Sequence, residues 1–143
     1  MVAVNPNLTC TLVTPEAKIA DEKAFDVVLP AHDGLLGILS GHAPLLCKLG
    51  QGLLRYHDEL MGEKVYYIEG GFAHVHENKV LILARRVVAR GELSTAEAEH
   101  QLRQAEAMAQ STAKERELRS QAIQRAKHLI ALSQLPSGGK THI

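Results

Sequence analysis

Histidine is the residue type here with the most obvious chemical potential, with eight in 143 residues. His74 and His76 stand two apart, so on a β-strand both imidazoles would project from one face, the spacing that can grip a transition metal. A stable zinc site needs a third and usually a fourth ligand, however, and Glu77 would point to the opposite face if the strand continued. The pair therefore reads as a polar strand face rather than a metal centre. Gly138-Gly139-Lys140-Thr141 ends like a phosphate-binding loop. Gln134 nevertheless occupies the place of the first glycine, and too few residues follow for the helix such a loop needs. Ser40 lies near His42 without an acidic residue to orient the imidazole, and no Gly-x-Ser-x-Gly elbow occurs, so a nucleophilic triad is unsupported. Cys10 and Cys47 fit neither zinc-ligand nor Cys-x-x-Cys spacing, and both are expected to be reduced and buried.

The elements that would carry these residues divide into two parts. Nine of the eleven glycines, four of the five prolines and all the Tyr and Phe residues precede Glu92. Before that point, short apolar runs alternate with turn signals about every ten residues, the pattern of an antiparallel sandwich or barrel. Expected strands are 8–13, 25–29, 53–57, 65–69, 72–76 and 80–84. Pro15 and Pro30 should interrupt strand ends, His32-Asp33-Gly34 and Glu77-Asn78-Lys79 should form tight turns, and Gly70-Gly71 should give a bulge or a sharp bend. The run Val80–Ala84 is apolar on both faces, as expected of a strand that is central or meets a partner.

After Glu92 the pattern is helical. Ser94 with Glu97, and Thr112 with Glu115, each form a capping-box pair that starts a helix. Ala98, Leu102, Ala105 and Ala109 give the first helix a narrow stripe of small side chains. Leu118, Ala122, Ala126 and Leu129, flanked by Ile123 and Ile130, give the second its stripe, which should end before Pro136. The short break at Gln110-Ser111-Thr112 favours an antiparallel hairpin whose alanine seam buries little apolar surface, so it should open readily. Its acids all precede Leu118, whereas Arg119, Arg125, Lys127 and Lys140 follow with no acid among them. That stretch is either a solvated face or a basic helix meant for an acidic partner.

Sixteen basic and sixteen acidic residues cancel, which removes any overall charge for holding nucleic acid or an anionic membrane. The N-terminal residues lack the features of a secretory signal, and no stretch approaches 18 consecutive apolar residues, so no direct membrane insertion is expected.

The run from Val28 to Leu45, with Pro30, Gly34-Leu35-Leu36-Gly37-Ile38 and Gly41-His42-Ala43-Pro44-Leu45 in order, closely resembles the characteristic stretch of the ε subunits of F-type ATP synthases. Further pieces at matching distances are Gly52-Leu53-Leu54-Arg55, Tyr67-Ile68-Glu69-Gly70-Gly71-Phe72, Asn78-Lys79-Val80 and Leu83-Ala84. The resemblance covers about residues 8–92 by motif, and beyond that only by length and pattern. It implies a ten-stranded N-terminal sandwich over 1–91, a regulatory helical hairpin over 92–135 and a flexible tail over 136–143. It also implies a non-catalytic rotor piece with no cofactor, clamped to the γ subunit and resting on the membrane c-ring. Asp33, Gly34, Leu35 and His42 match the region that meets the c-ring. Many family members carry Glu in place of Leu35, so that contact is expected to be more apolar here.

The family's hairpin can fold down or extend to the α and β subunits and inhibit ATP hydrolysis, and Arg119, Arg125 and Lys127 are the residues expected to meet the β subunit. Some bacterial members bind ATP through Ile/Leu-Asp-x-x-Arg-Ala. Here Leu93-Ser94-Thr95-Ala96-Glu97-Ala98 puts an anion where the phosphates would need a cation, so nucleotide binding is not carried over. The implied location is peripheral, on the cytoplasmic face of a bacterial inner membrane, with an organelle-encoded thylakoid subunit as the alternative. An unrelated sandwich binding module and a sandwich metalloenzyme are the competing readings, but neither accounts for the motif order.

Overall fold

The computed structural model describes residues 5–136; the first residues, Lys140 and the loop-like Gly138–Thr141 stretch lie outside them, as does all of the expected tail but Pro136. Its strands are β1 (Leu8–Val13), β2 (Lys18–Ala31), β3 (Gly34–Leu39), β4 (Leu45–Lys48), β5 (Gln51–Asp58), β6 (Glu63–His76) and β7 (Lys79–Ala89). The helices α1 (Thr95–Glu106) and α2 (Ala113–Ser133) follow.

Seven strands replace the expected ten because three of them serve both layers of the sandwich. β2 pairs with β1 as far as Ala24, with β5 from Ala24 to Val28 and with β3 from Asp26 onward. The register slips between Ala24 and Asp26, so Phe25 is a bulge that redirects the strand from one layer to the other. β6 pairs with β5 over Glu63–Glu69 and with β4 over Phe72–Val75, while β7 follows it through both halves. Each layer thus receives five segments: β3, β2, β5, β6 and β7 in the first, and β2, β1, β7, β6 and β4 in the second. The expected strands 65–69 and 72–76 are one strand, bent at Gly70-Gly71.

That bend keeps its register, since Glu69 faces Arg86 and Gly71 faces Ala84, so it is a sharp bend and not a bulge. Gly71 has φ 103°, and a Cβ there would run into the carbonyl oxygen of Leu83. No other residue fits. The bend is braced from outside by Leu49 N–H donating to Gly71 O (2.9 Å) and Gly70 N–H donating to Gly50 O (3.0 Å).

Pairing is antiparallel except between β1 and β7, which run parallel. This departs from the all-antiparallel expectation, and the reason is topological: the first and last strands share no hairpin, so nothing forces them to run in opposite directions. The strand around Pro30 does not stop there but continues to Ala31, with Pro30 paired to Leu35. β3 and β4 were not expected from the sequence. At the other turn, Glu77 and Asn78 have φ 50° and 63°, the conformation of a two-residue hairpin. Asn78 also ties three segments together: its carbonyl accepts from Thr9 N–H and its side-chain oxygen from Gly41 N–H, both at 2.8 Å.

The sandwich core is built from Leu8, Cys10, Leu12, Val27, Leu29, Ile38, Leu54, Tyr56, Ile68, Val75, Val80 and Ile82, all essentially inaccessible to water. Burial pushes the Cys10 thiol up to about 12, so it behaves as a small apolar residue. Cys47 is only half-buried, against expectation, because β4 is an edge strand of four residues.

Both capping boxes are formed as expected, with Ser94 and Thr112 as N-caps. α1 ends at Glu106, a turn earlier than its alanine stripe suggested, which leaves Ala109 outside the helix. Leu118 is 45% exposed, so the seam is carried by Ala98, Ala105 and Ala126. A second core of Leu129, Leu132, Val65, Tyr67 and Ala98, with Leu53 and Val88, joins the hairpin to the outer face of the first layer. No helix among the described residues is long and apolar enough to cross a membrane.

Candidate functional site

Three surfaces carry the residues that the sequence singled out. The first lies where the β2–β3 turn approaches the β3–β4 connection. Asp33, Gly34, Leu35 and His42, which are split between two loops in the sequence, line a single depression of about 490 Å³ together with Leu36, Leu45 and Cys47. Leu35 is 74% exposed on its rim. His42 is fixed by its backbone N–H to Leu39 O (3.1 Å), and its Nδ1–H donates to Ala43 O (2.7 Å). The depression therefore offers three leucines, a histidine, a thiol and one carboxylate. That combination suits docking against an apolar surface with few charges, and no hydrogen bond joins the Cys47 thiol to His42, whose Nδ1 is taken up by Ala43 O.

The second surface is the outer face of the second layer. Strand register places Lys48, Phe72, Leu83 and Val13 in one row across β4, β6, β7 and β1, with Leu46, His74, Leu81 and Thr11 in the next. Leu46 is 68% exposed, Phe72 52% and Leu83 47%. Cross-strand rows of this kind normally stand against another layer. Here no element of the described chain covers them, whereas the equivalent face of the first layer carries the hairpin. β7 is thus both central in its sheet and apolar toward the outside, which joins the two expectations for Val80–Ala84.

His74 and His76 lie on this face with rings nearly parallel, centroids 6.1 Å apart. β6 ends at His76, so Glu77 sits in the turn rather than on the opposite face, with its carboxylate 3.9 Å from His76 Nδ1. No cluster of three metal-ligating side chains occurs among the described residues.

The third surface is the seam between the hairpin and the sandwich, and it gives the three expected inhibitory cations different surroundings. Arg125 makes a bidentate pair with Glu69, Nε to Oε1 and Nη2 to Oε2, both 2.7 Å, with both side chains mostly shielded from water. Arg125 holds the Glu69 carboxyl below its usual range, and the Tyr67 hydroxyl, donating to Oε1 at 2.8 Å, assists. Gln51 extends the network, donating to Tyr67 Oη (3.2 Å) and to Gln121 O of α2 (3.0 Å). Arg119 instead donates from Nε and Nη2 to Glu106 O at the end of α1 (3.3 Å each), closing the hairpin on itself. Lys127 is exposed and has no hydrogen-bond or ion-pair partner among the described residues.

Sequence reasoning missed Glu69, Tyr67 and Gln51 as partners of the hairpin. The signal was available in the alternation of β6, which puts Glu69 on the same face as Val65 and Tyr67. A carboxylate on an apolar face needs a cation, and the acid-free stretch of α2 supplies one.

Near the N-cap of α1, Glu97 receives Ser94 N–H at 2.9 Å, the largest cause of its lowered pKa. The adjoining depression of about 400 Å³ is lined by Leu93, Ala96, Glu97, His100, Gln101 and Gln104, with no Arg or Lys.

Comparison with known proteins joins these surfaces to a family. Residues 7–90 match the model of the ATP synthase delta/epsilon chain β-sandwich domain. The chain is 35% identical to the ATP synthase epsilon chain of Rhodopirellula baltica, over 89% of this chain and 98% of that one. It is also 35% identical to the epsilon chain of a Synechococcus species, over 94% and 97%. Among solved structures, a chain of the Euglena gracilis mitochondrial ATP synthase, from its OSCP/F1/c-ring assembly, superposes with a TM-score of 0.79 at 26% identity, covering 91% of this chain and 83% of that one. With the sandwich matched throughout and the hairpin included in the longer alignments, the chain belongs to the ATP synthase epsilon chain family.

Proposed function

We propose that this chain is the non-catalytic ε subunit of an F-type, proton-translocating ATP synthase, a piece of the central rotor stalk that joins the γ subunit to the c-ring. The observation that carries this reading is the asymmetry of the sandwich. One sheet is covered by the chain's own hairpin, and the other presents Leu46, Phe72 and Leu83 uncovered. In this reading the bare sheet clamps γ, and the depression of Asp33, Gly34, Leu35 and His42 rests on the c-ring. No cofactor enters the function. The protein sits peripherally on the cytoplasmic face of a bacterial inner membrane, held there by its partners.

The hairpin, from about residue 92 to residue 135, is the regulatory part. Folded down, it is held by Glu69–Arg125 and a small apolar seam. Extended, it carries Arg119, Arg125 and Lys127 to the α and β subunits and slows ATP hydrolysis. Removing residues 112–143 from the assembled complex is expected to raise hydrolysis while leaving assembly intact. Unchanged hydrolysis would remove the inhibitory role, and loss of assembly would move the partner contact from the sandwich to the hairpin.

A further inference from the structure

At the edge where β6 and β7 pass from one layer to the other, the bend at Gly70-Gly71 leaves a groove of about 720 Å³. Its walls are mainly Val13, Pro15, Leu49, Phe72 and Leu83, continuous with the exposed row of Lys48, Phe72, Leu83 and Val13. Lys48 and Arg85 also line it, and no carboxylate does. Both cations are exposed, and among the described residues neither has an ion-pair or side-chain hydrogen-bond partner. The guanidinium of Arg85 lies directly over Gly70, where any side chain would displace it, so the glycine that permits the bend also seats the cation. An apolar slot bordered by two cations without counterions is complementary to an apolar side chain with a carboxylate close by.

We propose that this groove receives an acid-flanked apolar segment of the γ subunit, and that Lys48 and Arg85 fix the register of the rotor interface. The inference rests on the reading of the bare sheet as the γ-binding face. Its charges should set specificity and association more than total affinity, which the apolar row supplies.

The test is calorimetric binding of the full-length chain to isolated γ subunit over a range of salt concentrations, for the wild type, K48E/R85E and V13W. Because the substituted side chains are at least partly exposed, thermal unfolding should match the wild type in each case. The proposal predicts that K48E/R85E weakens binding about tenfold or more at 0.15 M salt and flattens its salt dependence. V13W, which fills the groove, should weaken binding without changing the salt dependence. If both variants bind γ as the wild type does, the groove proposal is overturned while the γ-binding reading stands. A wild-type chain that does not bind γ overturns both.

Discussion

Glu69→Gln is the substitution that most directly probes how the hairpin is held. It keeps the shape of the side chain but removes the charge that meets Arg125 through two 2.7 Å contacts. Hydrogen bonds to a charged partner in a half-buried setting contribute about 1.5–3 kcal/mol, so the loss should be about 2 kcal/mol. At roughly 1.4 kcal/mol per factor of ten, that shifts the ratio of folded-down to released hairpin about thirtyfold. The sandwich core lies on the other side of the sheet and should be unaffected. Hydrogen exchange is a suitable assay: amides of α2 should exchange about thirtyfold faster, while those of β1 and of residues 79–84 of β7 keep their protection. In the assembled complex the same variant should hydrolyse ATP more slowly, because it releases the hairpin with Arg125 still charged. Arg125→Ala releases the hairpin too but removes one of the proposed inhibitory charges, so it should inhibit less than Glu69→Gln. Unchanged exchange in α2 would refute the latch. Identical hydrolysis for the two variants would refute a direct role for Arg125.

Further outcomes follow from the same structure. Gly71→Ala should cost more than about 3 kcal/mol in urea unfolding, since its Cβ has no space beside the Leu83 carbonyl and its φ is 103°. His128, packed beside Tyr67 with centroids 6.0 Å apart, has its pKa lowered from the usual 6.5 by burial. The folded hairpin therefore favours the neutral ring, and its docking should be full above pH 6.5 and weaken as pH falls below that, read as faster α2 exchange; His128→Gln should remove the dependence. Leu35→Glu should leave thermal unfolding nearly unchanged, because Leu35 is 74% exposed, and alter proton pumping in the assembled enzyme instead. Calorimetry with millimolar ATP should give no saturable signal, because the depression at α1 offers a carboxylate and no cation.

Much of this architecture was legible in the residues. The capping boxes at Ser94 and Thr112 are local devices whose partners lie three residues away, so they could be read without tertiary knowledge. The alternation of 80–84 and the paired glycines at 70 and 71 were equally direct. What the sequence did not disclose is non-local. Nothing near Gly34–Leu39 or Leu45–Lys48 has strand periodicity strong enough to outweigh the glycines and proline around it. Those strands exist because β2 and β6 offer them edges. The use of β2, β6 and β7 by both layers, and the parallel β1–β7 pair, depend on the closure of the whole sandwich.

For the candidate sites the division is similar. Asp33, Gly34, Leu35 and His42 were nominated through resemblance, and only folding brings the two loops to one depression. Arg125 was nominated as a free cation for a partner, but a carboxylate 56 residues upstream holds it. Charge segregation along α2 could not reveal which of its cations the chain already uses.

In the proposed assembly the bare sheet binds the rotor shaft. Titration of the full-length chain into isolated γ subunit tests it most directly, comparing the wild type with F72D/L83D and with E69Q. The wild type and E69Q should form a one-to-one complex, and F72D/L83D should lose binding with thermal unfolding little changed. Binding that survives F72D/L83D but is lost in E69Q would contradict it, by placing γ on the hairpin side of the sandwich.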